Sequence, residues 1–436
     1  RDLWTMKWDG TEAKAVTRGG ANPQDLFFNR AGTRAFWRTG RGEVQSAVPA
    51  GTDLKTAAYR ARMTIDLAAE RVEKYEEAWR TMRHQFHDST FGGSDFDAVR
   101  ARYRTYVPNA FTIDDFNAVV QMVLGELNGS HLGIGSPAPD TPPPGTGALG
   151  VVWDESYRGP GVRVARVIPR SPASRAESRL NPGDVVLAVD GDTITATANV
   201  WEPLLDKVNR RVLLAVAADN APPARGGSAA ARGAAAGSRD LVIRPISLTD
   251  ETTLIYDEWV SRRRAIVDSL SNGRLAYLHI RGMSQPSLEQ FERELYSAAH
   301  GRDGLLVDVR WNGGGSTADL LLAILNVRRH AYTIGRGAPA ATRGYPQDRL
   351  PLSSWTGAKG LLCNQFSFSN AEIFCHAWRA LAMGPIVGAQ TFGAVISTGA
   401  TTLIDGSSLR LPFRSWYAMD GTNMELHGAL PTIAIE

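Results

Sequence analysis

The 436-residue sequence predicts a multidomain α+β protein that ends in an α/β layer. Three observations predict it. The chain is too long for one hydrophobic core, so two to four domains are expected. From about residue 250, apolar runs of strand length alternate with amphipathic helices. Before that point the pattern passes from short strands (1–50) to helices (51–146) and back to strands (147–247). The composition, 43% hydrophobic and 21% charged, is that of a soluble globular chain, and no apolar stretch reaches the ~18 residues of a membrane span. A net charge of +3 with scattered basic residues argues against nucleic acid as a partner. Two cysteines, Cys363 and Cys375, exclude a disulfide framework and are too few to build a metal site; they read as reduced, buried thiols.

Residues 1–50 alternate strands and turns. "DLWTMKWDGTEAKAVTRG" is strand, Asp-Gly turn, strand, and "LFFNRAGTRAFWRTG" repeats the rhythm with Phe27, Phe28, Phe36 and Trp37 as its apolar positions. This resembles one degraded blade of a β-propeller. One blade cannot bury its own faces, so the expectation is a remnant at the start of the C-terminal part of a longer protein. The opening "RDLWTMKWDG" lacks the basic and apolar regions of a signal peptide. A cytoplasmic location is expected, with periplasmic or secreted ones left open because the opening reads as mid-domain.

Residues 55–127 read as mostly helical. Val72, Tyr75, Trp79, Met82 and Phe86 form one apolar stripe, the mark of a core-facing helix. "TIDDFNAVVQMVLGELNGSHLGIG" is a second helix, N-capped by Thr112 and ending near Asn128-Gly129, with Ser130-His131 directly behind it. His84 and His87 lie on the first helix and read as solvated or capping residues. In residues 147–247, "GALGVVW", "SPA" (171–173) and "NPGDVVLAVDG" (181–191) resemble a PDZ domain. The resemblance implies a glycine-rich loop at Gly147–Val151 whose amides meet a peptide carboxylate, with the peptide added as a strand. The low-complexity stretch 217–239 inside it reads as a flexible hairpin insertion.

In the α/β part, "GRLAYLHIRGM" is a strand, "SLEQFERELYSAA" a helix begun by Ser287, and "GLLVDVRWNGGG" a buried strand delivering three glycines to the next helix. Such a turn can aim backbone N–H groups at an anion. A phosphate loop would require a Gly-Lys-Ser/Thr ending, and no lysine is present there, so an oxyanion-binding turn is the better reading. Further on, "LLCNQFSFSNAEIFCHAW" passes from strand to helix through a turn holding Ser367 and Ser369. Neither serine lies in a G-x-S-x-G elbow.

Taken with "LLVDVRWNGGG" upstream and "GPIVGAQTFGA" downstream, "N-x-x-S-x-S-x-A-E" from Asn364 resembles the tail-specific and tricorn serine peptidases. The resemblance implies a ClpP/crotonase-like α/β catalytic layer over 248–436 and a nucleophile five residues after the asparagine and three before the glutamate, which is Ser369. Tail-specific proteases take the proton on a lysine of "T-F-G-K-G". Here the segment is Thr391-Phe392-Gly393-Ala394, and no lysine follows Lys359. The tricorn solution is a histidine from the helical region. His131 matches it, and its ordinary pKa suits proton transfer near neutrality. The resemblance further implies that Ser130 and Glu425 orient the imidazole in a Ser-His-Ser-Glu tetrad, and that Gly315 and the amide of Asn370 bind the oxyanion. His427 is the rival base, and His376 sits about two turns beyond Ser369. Asn370 stands where tricorn-type enzymes tend to have an acidic residue. The implied activity is hydrolysis of oligopeptides without cofactor or metal, in a homo-oligomeric ring. The basic segment "NVRRHAYTIGRGAPAATRG" (326–344) has no carboxylate to select Lys or Arg side chains, and its arginines, with the PDZ loop, suit a peptide's carboxylate end. The alternative is a non-catalytic PDZ-containing peptide-binding scaffold, which requires His131 to lie far from Ser369.

Overall fold

The computed structural model describes all residues except 59–61, 138, 140–142, 196–198, 219–237, 329, 340, 345–353 and 436. Most of the expected hairpin insertion at 217–239 lies outside the described residues. The chain divides into two compact units, Arg1–Leu67 and Ala68–Glu436.

In the first unit, a four-stranded antiparallel meander runs through Gln24–Phe28, Ala35–Arg38, Val44–Ala47 and Lys55–Ala57. Trp37, Ala35 and Ala47 are its buried residues, packed against Leu3 and Val16. The fourth strand corrects the expectation that helix begins at residue 55. Lys55–Ala57 pairs with Val44–Ser46, and the first helix starts only at Leu67.

The second unit is built on three hydrophobic clusters. The first joins helices α1 (Leu67–Gln85), α2 (Phe96–Arg104) and α3 (Ile113–Gly125). Tyr75, Trp79, Met82 and Phe86 of the predicted stripe are buried there. A capping box between Thr112 and Asp115 starts α3 as its sequence signals. This cluster also contains Leu403, Leu409 and Leu411, some three hundred residues away. They belong to a long hairpin, Ile396–Thr402 with Ser408–Ser415, and the short strand Gly133–Gly135 adds to its edge antiparallel. Lys74, 4% exposed on α1, reaches Asp405 at the hairpin tip (2.7 Å) while its ammonium stands 4.0 Å from the Phe116 ring centroid. The Glu77 carboxylate accepts from the Ile404 amide, and His87, past the end of α1, bonds Ser415 Oγ at 2.6 Å. His87 is therefore half-buried against the hairpin and its pKa is lowered by burial, which corrects its reading as a solvated or capping residue.

The second cluster fills an antiparallel sheet ordered Ser238–Ile243, Val212–Ala217, Val185–Val189, Val162–Val167, Val151–Trp153. Val189 pairs with Asp192 across the expected Asp-Gly turn. The third cluster lies in a five-stranded parallel sheet ordered Leu275–His279, Gly304–Asp308, Ala358–Cys363, Ile386–Gly388, Ile433–Ala434. Parallel neighbours need crossovers. Three of them carry α5 (Gln285–Ala299), α6 (Ala318–Leu325) and α7 (Asn370–Ala380). Helix α5 starts at Gln285, behind Ser284 and with a proline in its first turn, rather than at Ser287, because Pro286 suits a position where no helical donor is needed. Before the sheet runs α4 (Leu248–Leu270). Among the described residues no helix is long and apolar enough to cross a membrane.

The Lys74–Asp405 pair is buried deeply enough that removing one partner strands the other. Lys74→Ala is expected to destabilise the second unit by about 3 kcal/mol. The shift in the urea midpoint, followed by tryptophan fluorescence, checks this; an unchanged midpoint would mean the pair contributes nothing to the docking.

Candidate active site

The C-terminal ends of the parallel strands deliver three loops to one place, where open α/β sheets characteristically place their ligands. After Gly304–Asp308 come Asn312 and the glycines, after Ala358–Cys363 comes the turn 364–369, and after Ile386–Gly388 comes 389–395. Asn312, fully buried, donates to the Ile280 carbonyl (2.8 Å) and accepts the Gly314 amide (2.9 Å), which fixes the glycine turn. A Cβ on Gly314 would come within 2.7 Å of both Phe368 O and Ser369 Cβ. Only glycine lets this loop lie against the serine turn.

Ser369 is the residue before α7 and has φ 57°, ψ −120°, a conformation that costs a non-glycine residue about 1–3 kcal/mol. Its surroundings hold it there. The Phe368 amide donates to Asn312 O (2.9 Å), the Ser369 amide to Glu372 Oε1 (3.0 Å), and Glu372 N to Ser369 O (2.8 Å). Glu372 is completely buried and also accepts from Thr391 Oγ1 (2.6 Å), Gly393 N (2.5 Å) and Ala394 N (2.9 Å). One carboxylate thus ties the serine turn to the loop where a tail-specific lysine would stand. In the sequence Glu372 served only to count an offset; its role as a hub had no signal there, because its partners are mostly backbone amides. Ser367, by contrast, is buried and its hydroxyl donates to Val309 O (2.8 Å).

His131 arrives from the other side. Its Nε2 lies 2.9 Å from Ser369 Oγ, and its ring packs tilted against Phe368 with centroids 4.8 Å apart. Ser130 Oγ is 2.7 Å from His131 Nδ1 and 3.1 Å from Glu425 Oε2. Glu425, buried, also takes the amides of Ser130 (2.8 Å, on Oε1) and Val395 (2.7 Å, on Oε2). An ionised carboxylate only accepts, so the single Ser130 hydroxyl proton goes to Glu425. The Ser130 oxygen then accepts from Nδ1–H of His131, and Nε2 is left as a lone pair facing the Ser369 hydroxyl. Burial, with the nearby Arg410 charge adding to it, pushes the His131 pKa down to about 4, so the imidazole is neutral at pH 7.

Ser369, His131, Ser130 and Glu425 lie together; Asn370 directly follows Ser369, and Gly315 directly follows the glycine that packs against the serine turn. The Gly314 amide is taken by Asn312, but among the described residues the Gly315 and Asn370 amides have no acceptor. The Asn370 side chain accepts from Ala318 N (2.9 Å), joining the starts of α6 and α7. His427 bonds the Glu425 carbonyl through Nδ1 (2.7 Å), and His376 is half-buried on α7.

Three family models match the chain. They are peptidase family S41 over residues 274–435, the tricorn protease C1 domain over 67–125, and the PDZ domain over 140–200. Tricorn protease homolog 1 of Streptomyces coelicolor is 32% identical over 395 residues, which covers 86% of this chain and 34% of that protein. The chain belongs to the tricorn type of peptidase family S41. The tricorn protease of Thermoplasma volcanium is 28% identical over 376 residues, covering 84% of this chain and 34% of that protein. The crystal structure of the tricorn protease has the same fold, with a TM-score of 0.76 at 24% identity over 98% of this chain and 40% of that one. The chain spans roughly a third of the length of these curated relatives.

The tautomer is directly measurable. Nitrogen NMR of His131 at pH 7 is expected to find Nδ1 protonated and Nε2 bare, with a titration midpoint near about 4. Ser130→Ala should mix the two tautomers. The unfolded chain has the ordinary value of about 6.5, so it binds this proton more readily than the folded one. The stability this confers is complete above pH ~6.5 and declines as pH falls toward the folded value. A midpoint at or above 6.5 would contradict the geometry.

Proposed function

We propose that this chain carries the catalytic part of a serine endopeptidase that cleaves oligopeptides through an acyl-enzyme. The observation that carries the reading is the unbroken line Ser369–His131–Ser130–Glu425, with 2.9 Å between nucleophile and base. Ser369 Oγ attacks the scissile carbonyl carbon while its proton passes to His131 Nε2. The Gly315 and Asn370 amides receive the oxyanion, and the N-terminus of α7 adds its positive end. His131 then returns the proton to the leaving nitrogen as the C–N bond breaks. In the second half His131 takes a proton from water, the hydroxide attacks the ester, and Ser369 regains its hydrogen. Ser130 and Glu425 are positioning residues: they hold the tautomer, and the carboxylate balances the transient imidazolium. Ala394, buried with its amide on Glu372, occupies the place where a lysine base would act.

The scaffold alternative needs His131 remote from Ser369, and the 2.9 Å contact counts against it. The broader picture extends the resemblance. Residues 1–50, whose meander runs on to Ala57, are read as a partial propeller blade, the parallel sheet as ClpP/crotonase-like, and the divisions near residues 146 and 247 as domain limits. Peptide substrates and a homo-oligomeric ring belong to the same proposal.

Fluorophosphonate labelling tests it. The parent protein should label, Ser369→Ala should not, and His131→Ala should label at least about 10³-fold more slowly. Labelling that persists in Ser369→Ala would refute the assignment. With a labelled oligopeptide, kcat/KM of the free enzyme should hold down to pH ~5 and fall near about 4, the value to which burial lowers His131. An acid limb centred at 6.5 would place the base elsewhere.

A further inference from the structure

The loop that the PDZ resemblance assigns to a peptide carboxylate already holds one. The Gly150 amide donates to Glu251 Oε1 at 3.0 Å. Glu251 lies in the first turn of α4, 101 residues further along the chain and outside the antiparallel sheet. The loop is shaped for this contact. Gly150 has φ +82°, and a Cβ there would stand 2.1 Å from Ser171 Cβ. Its carbonyl accepts from Ser171 Oγ (3.0 Å) and Ile168 N (2.9 Å), which fixes the peptide plane on one side and leaves the amide aimed at Glu251.

Helix α4 continues the contact along its length. Asp257 pairs with Arg170 (2.7 Å) and Glu258 with Arg166 (2.6 Å), so three acidic residues of one helix engage this sheet and its loops. Only Glu251 meets a backbone amide rather than a guanidinium, as a peptide's terminal carboxylate would. The strand that follows the loop, Val151–Trp153, is the edge of its sheet among the described residues, with Val162–Val167 on one side. An edge strand next to a carboxylate cradle is what a peptide needs in order to add as a further strand.

We propose that the Gly147–Val151 loop is a carboxylate-binding site closed in cis by Glu251, which stands in for the free α-carboxylate of a peptide. In the resting protein the loop then recruits no peptide end. It accepts one, with the peptide running along Val151–Trp153, when Glu251 leaves. This differs from the expectation that the loop itself grips substrate. It is independent of the chemistry at Ser369, because its readout is binding.

Two fluorescein-labelled pentapeptide pools, one with free C-terminal carboxylates and one with C-terminal amides, provide the test by fluorescence anisotropy. Ser369→Ala serves as the background so that no peptide is cut. With Glu251 present, the pools should bind alike. Combined with Glu251→Ala, the free-carboxylate pool should bind at least about tenfold more tightly than the amidated one. Glu251→Gln, which keeps the side-chain shape and removes its charge, should give a smaller gain in the same direction. Circular dichroism identifies a variant that has lost its fold, and the other then carries the result. A carboxylate preference of equal size with and without Glu251, or no gain in a folded variant, overturns the proposal.

Discussion

Three residues of backbone hold this site together. Gly133–Gly135 add to the edge of the hairpin strand Ser408–Ser415, pairing Arg410 with Gly133, Leu409 with Ile134 and Ser408 with Gly135. His131 precedes that ladder by two residues, so its position is set by the pairing more than by its own contacts. Ile134 and Leu409 point into the same hydrophobic cluster as α1 and α3, and a one-residue slip of the short strand would turn Ile134 out of it. Burial of those side chains therefore fixes the register, and the register fixes where the imidazole stands. The same ladder brings Arg410 close enough to depress the imidazole's pKa.

The opposite half of the site is held by buried carboxylates that accept from the backbone. Glu372 collects amides from the serine turn and from 393–394; Glu425 collects those of Ser130 and Val395. The amides at 393–395 are thus shared between the two, and the nucleophile's turn and the histidine's turn are referenced to one stretch of chain. A buried carboxylate that lost these donors would be costly, so each loop stabilises the geometry of the next. The strained backbone at Ser369 persists because the Asn312 carbonyl and Glu372 hold it from two sides. Glu251 repeats the device at a distance, a carboxylate that accepts the Gly150 amide of a glycine turn.

What the residues disclosed follows from the range of the forces involved. Local signals were legible: the Tyr75–Phe86 stripe, the Thr112 cap, the Asp-Gly hairpin, the strand–glycine–helix passages. The proposed nucleophile and base were reached through motif offsets and through a missing lysine, since Ala394 closes one of two chemical solutions. Partnerships across hundreds of residues were legible only where the resemblance supplied them, as for His131 and Ser369; elsewhere they were not. Nothing near Lys74 names Asp405, nothing near His87 names Ser415, and "LTDETTL" contains no sign that Glu251 ends in a glycine loop. The start of α5 was misplaced by reading Ser287 as the cap and overlooking what Pro286 does for a first helical turn.

The account's central claim is that strand pairing at 133–135 brings a neutral imidazole to Ser369 opposite two free amides. A crystal structure of the enzyme trapped with a fluorophosphonate tests it most directly. The account predicts phosphorus bonded to Ser369 Oγ and one phosphonyl oxygen within about 3 Å of the Gly315 and Asn370 nitrogens. It also predicts Gly133–Gly135 still paired to Ser408–Arg410. An adduct on another residue, or a phosphonyl oxygen turned away from both amides with His131 displaced from its ladder, would contradict it.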